Sequence, residues 1–118
     1  MKWLFAILAA VVLLGCGHNT SLEDKWVSGQ VSLTFEHGKY QQDAPVSFLV
    51  ARTVARYTLT GSKLHLAEVV VLTLDSKQNN GLVSTNQIPD QDWTLTWQGT
   101  DQITLTDGKQ TIVYKRAG

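Results

Sequence analysis

The chain has one cysteine, one methionine and two prolines in 118 residues, and its formal net charge is zero. One cysteine excludes an internal disulfide and a cysteine-built metal site, so any core must hold by packing alone. Charges of both signs are interspersed, which excludes the basic stripe of a nucleic-acid binder and the charge block of a disordered tail. No window carries sustained helical periodicity, which argues against a helical fold. The longest apolar run, Trp3 to Leu14, is about 12 residues, short of the roughly 20 that a spanning helix needs.

That short run sits in a pattern of its own. Met1-Lys2 provides a basic start, Trp3 to Leu14 an apolar core, and Gly15 a small residue before Cys16. These are the physical parts of a secretory signal. Leu13-Leu14-Gly15-Cys16 resembles the lipobox of bacterial lipoproteins. The resemblance implies a diacylglyceryl group on the Cys16 thiol and cleavage between Gly15 and Cys16, often followed by acylation of the new amine with a fatty acid such as palmitate. Two or three chains make a stable anchor where one holds only marginally. The alternative is an ordinary signal peptide whose end happens to include a cysteine. Gly17, in place of an aspartate, points to the outer membrane, with the domain facing the periplasm.

Residues 1–15 are therefore expected to be a signal peptide, 16–24 a lipidated cysteine with a polar tether, and 25–118 one domain with one modest core. From Lys25 onward the pattern has period two: Val31, Leu33 and Phe35 alternate with Ser32, Thr34 and Glu36. His37-Gly38, Gly61-Ser62 and Asp107-Gly108 read as hairpin turns, and Gln41 to Pro45 as a loop. Glu68 to Leu74 is a nearly continuous apolar strand, expected to be central or covered on both faces. Asp75 to Asp92 is polar, with Gly81 and Pro89, and reads as a long loop. The fold expected is all-β, an up-and-down antiparallel meander of about eight short strands. Closure into a barrel removes the two open edges and is favoured over a two-sheet sandwich.

Lys25-Trp26, Phe35 with Gly38 and Tyr40, Tyr57 to Leu64, and the ending from Leu105 to Arg116 resemble the small lipocalin-like domains of bacterial lipoproteins. The resemblance implies that Arg116 of the last strand packs over Trp26 of the first and helps close the barrel base. Asp24 stands two places before Trp26, where the lipocalin motif has glycine. Periplasmic lysozyme-inhibitor lipoproteins have a similar barrel, but their domain cysteines are absent here.

No arrangement in the sequence specifies catalysis, a metal or a cofactor. His18, His37 and His65 are scattered, and zinc needs three or four converging ligands. Asp90 and Asp92 could bind a cation or work as an acid–base pair, but acids solubilising a loop end are commoner. No nucleophile elbow accompanies the serines. Trp93 and Trp97 share a strand face: inward they are core, outward they could stack on a glycan or apolar ligand. Arg52 and Arg56 share a face and could grip a carboxylate or phosphate, or simply face solvent. The function expected is a membrane-anchored, non-enzymatic module that binds a small apolar or glycan ligand, or an envelope protein. The alternative is a structural or assembly lipoprotein with a filled barrel and no pocket.

Overall fold

The computed structural model describes residues 21–117. The leader, Cys16 and His18 lie outside the described residues. The described residues form nine strands: β1 (Lys25–Ser28), β2 (Val31–Glu36), β3 (Lys39–Val46), β4 (Leu49–Thr60), β5 (Lys63–Asp75), β6 (Gly81–Ile88), β7 (Gln91–Gln98), β8 (Gln102–Thr106) and β9 (Thr111–Arg116). Every pairing is antiparallel. The ring β1-β2-β3-β4-β5-β7-β8-β9 closes on itself where Trp26 and Val27 pair with Arg116 and Lys115. The fold is a closed eight-stranded antiparallel barrel with β6 as one extra strand.

Inward residues of the alternating strands fill the barrel. Trp26, Leu33, Phe35, Leu64, Leu66, Val69, Ile103 and Tyr114 are each essentially inaccessible to water. Phe35 sits edge-on to both Tyr40 and Tyr57, with ring centroids 5.5 and 4.9 Å apart. Such pairs add about 0.5–1.5 kcal/mol each beyond their buried area. The buried Tyr40 hydroxyl donates to Gln42 Oε1 at 2.8 Å, and burial pushes its pKa well above the ordinary tyrosine value.

Three expectations need correction. Gln41 to Pro45 is not a loop but the middle of β3, paired to β4 throughout. Pro45 is tolerated because β2 ends opposite Asp43, so one side of Pro45 has no strand to donate to. Asp75 to Asp92 is not a long loop either: a single 3-10 turn at Ser76–Gln78 is followed by β6 and the start of β7. Ser21 to Asp24 does not swing free as a tether. Leu22 is buried beneath Trp26, its carbonyl accepting the indole N–H at 3.1 Å, and Glu23 accepts the His37 backbone N–H.

Strand lengths are uneven, and this creates the second feature of the fold. The 13 residues of β5 span about 43 Å. Its first four residues, Lys63 to Leu66, pair with β7 in the barrel, while Val69 to Asp75 pairs with β6. The upper parts of β3, β4 and β5, with β6, form a four-stranded arm projecting beyond the barrel. The change occurs at a bulge, where Val54 pairs with Val70 but Arg56 pairs with Ala67. Glu68 takes a left-handed φ of 54° there. A bulge bends its strand, which lets the barrel curve below and the sheet run on above.

Candidate interaction surface

Strand directions define two ends. At one end lie Asp24, the β2–β3 turn (His37, Gly38), the β4–β5 turn (Gly61, Ser62), the β7–β8 turn and Arg116. Backbone bonds knit this end, among them Phe35 N–H to Asp24, Leu95 N–H to Ser62 and Ala117 N–H to Lys25. The arm leaves from the other end.

Arg116 binds the base together. Its guanidinium lies 4.4 Å from the centre of the Trp26 ring and donates to the Thr100 carbonyl, at 2.6 Å through Nη2. Nη1 donates to Asp24 Oδ2 at 2.6 Å, and that bond holds the Asp24 carboxyl below the usual carboxylate range. Asp24, where the lipocalin motif has glycine, is therefore the counter-ion of the base arginine.

Arg52 and Arg56 point outward and are both engaged. Arg52 makes two bonds to Asp43, at 2.8 and 3.0 Å, and this pairing raises its pKa. Arg56 reaches Glu68 at 2.7 Å across the bulge. Trp93 and Trp97 turn toward the core with Leu95. Trp97 stands edge-on to Trp26 at 5.8 Å, and the Trp93 indole donates to Gln91.

The structure joins His65 of β5 to Asp90 and Asp92, which sequence spacing did not link. The ring approaches Asp92 at 2.7 Å through Nδ1 and Asp90 at 3.2 Å through Nε2. Bonding to Asp92 is the larger cause of a raised histidine pKa, and it lowers that of Asp92. Both ring nitrogens face carboxylates, so the cluster favours an imidazolium. Among the described residues no group of three ligating side chains is arranged to hold a metal ion.

Comparison with known protein families, curated proteins and solved structures finds no match for this chain.

The arm carries the exposed apolar surface. Cross-strand register puts Pro45, Val50, Leu74 and Leu82 in one row across its four strands, followed by Asp43, Arg52, Leu72 and Thr85. The opposite face is small and polar, with Ala44, Ala51, Thr73 and Ser84 in one row. Around the tip, Val46 is 60% exposed, Phe48 43%, Leu82 61% and Val83 58%. These side chains ring the tip rather than share one face: Leu82 lies with Pro45 and Val50, Val46 with Ala44 and Ala51. Phe48 is held in place, because its carbonyl accepts the Ser76 N–H and hydroxyl while Lys77 Nζ sits 4.8 Å from its ring. The sequence hides this surface because β6, Gly-Leu-Val-Ser-Thr-Asn-Gln-Ile, has no alternation and almost every side chain in it faces water.

Proposed function

We propose that the protein is a lipid-anchored envelope lipoprotein whose domain is a non-enzymatic interaction module. It docks an envelope protein through the arm rather than carrying a small ligand inside the barrel. The observation that carries this reading is the contrast between a barrel axis filled with side chains and an arm tip left apolar and open. Barrels that carry ligands need an interior left unfilled. The lipobox resemblance of Leu13-Leu14-Gly15-Cys16 supports the anchor. It is compatible with the chain geometry, since the polypeptide enters the barrel at Asp24, at the end opposite the arm. A tether on that side leaves the tip free to reach a partner.

Two experiments test the reading. Native mass spectrometry of the full chain, released from membranes in detergent, should give the mass of a processed, acylated polypeptide with no further non-covalent mass. A ligand that leaves on denaturation would overturn the filled-barrel reading. Cys16→Ser should abolish fatty-acid labelling and membrane retention, and normal labelling of that variant would refute the anchor. For the docking surface, Leu82→Asp together with Val83→Asp should leave the melting temperature within about 2 °C while removing in-cell crosslinks to envelope proteins.

A further inference from the structure

The arm has an edge that partner docking at its tip uses only at its upper end, through Leu82 and Val83. Among the described residues β6 is hydrogen-bonded only to β5, so its outer edge presents backbone groups that no described strand pairs. Natural edge strands are commonly protected by lysine, proline or inward charges. The eight residues of β6 contain no charged side chain and no proline. Seven of the nine strands, all except β6 and β8, carry charge, and β8 is paired on both sides.

We propose that β6 is a self-association edge. Two copies pair antiparallel through it about a twofold axis, joining two four-stranded arms into one continuous sheet. Three observations select a second copy rather than a foreign peptide. An uncharged strand laid against itself opposes no like charges. An antiparallel pair with a twofold axis normal to the sheet keeps each face continuous, so residues of equal parity must oppose each other. The strand therefore meets itself at a residue, and of the two central residues, Ser84 and Thr85, Thr85 stands farther from the bulge at Val83. In this register Ser84 of one copy lies against Asn86 of the other, below the bulge at Val83, while each tip approaches the other's β6–β7 junction.

The third observation is charge. The tip carries Lys77, whose ammonium sits over Phe48. The shoulder it would approach holds Asp90, Asp92 and Asp107, and a groove of about 250 Å³ there is lined by Gln91, Asp92, Trp93, Asp107 and Gln110. β8 lies on the same side of β7 as the open edge of β6, so this groove faces the incoming tip. His65 offsets one of these three carboxylates, and Lys77 of each copy thus approaches a shoulder that keeps an excess of acid, twice over by symmetry.

The test uses the full chain in detergent micelles, with sedimentation as the readout. Wild type should be dimeric. Thr85→Lys and Thr85→Glu, at an exposed position, should each weaken dimerisation about fivefold or more, and an equimolar mixture of the two should restore it. In membranes, Thr85→Cys should give an oxidative crosslink at twice the chain mass, scored against the unaltered chain, whose single cysteine is Cys16. Val113→Cys on the barrel exterior should not. A monomeric wild type, a lysine variant that still dimerises, equal crosslinking from Val113→Cys, or a Thr85→Cys adduct only to another protein would each overturn the proposal.

Discussion

Arg116 and His65 show how single residues work at the two margins of this barrel. Arg116 contributes a stacked plane, a carbonyl bond and an ion pair at once, and only a guanidinium can do all three. Arg116→Lys should cost about 1–2 kcal/mol in urea denaturation, because an ammonium loses the planar stack and one of the bonds. Asp24 has a lowered pKa, so its contribution is complete above its ordinary value of 3.8 and disappears as pH falls through the lowered one. Asp24→Asn should flatten that part of the acid-unfolding curve. His65 behaves with the opposite sign. Its pKa is raised from 6.5, so the contribution is complete below 6.5 and is lost as pH rises through the raised value. The difference in melting temperature between wild type and His65→Asn should therefore shrink as pH is taken upward from 6.5. A difference that stays constant across that range would remove the imidazolium from the account.

At the scale of elements, the bulge in β5 separates what curves from what runs straight. Glu68 occupies a left-handed backbone conformation that an ordinary residue adopts at a cost of about 1 kcal/mol. Its exposed ion pair with Arg56 returns little. Glu68→Gly should accordingly stabilise the protein by about 0.5–1 kcal/mol in thermal denaturation, without altering the fold. The barrel strands were legible in the sequence because each buries one face and so alternates. Gly61 and the His37-Gly38 pair marked turns by chemistry that positive φ demands. Of the arm only β5 was legible, since Glu68 to Leu74 read as a central apolar strand and lies between β4 and β6; the rest was not, for a matching physical reason. A strand with neither face buried has no periodicity to read, so β6 looks like a loop, and Asp43 and Pro45 look like turn residues although they lie within β3. The same blindness applied to the surface. Trp93 and Trp97 drew attention as large aromatics, yet the exposed apolar ring at the tip is built from Val46, Phe48, Leu82 and Val83.

At the scale of the whole molecule, the barrel is self-sufficient and the arm depends on it. The barrel has closed edges and a filled axis, whereas the arm is a single sheet layer whose side chains are mostly partly or fully exposed. Amide hydrogen exchange should reflect this: β6 and the upper part of β4 should exchange through local opening, well before the amides of β1, β2 and β8. Uniform exchange across both regions would mean that the arm is no less stable than the barrel. Because β5 passes unbroken from one region into the other, the two share a backbone rather than a hinge. A pull between the chain's entry at Asp24 and the arm tip would run nearly parallel to β4 and β5. It would load their ladder in shear, with many bonds resisting together, rather than peel them apart one at a time. The molecule is shaped as a strut that can carry tension along its length.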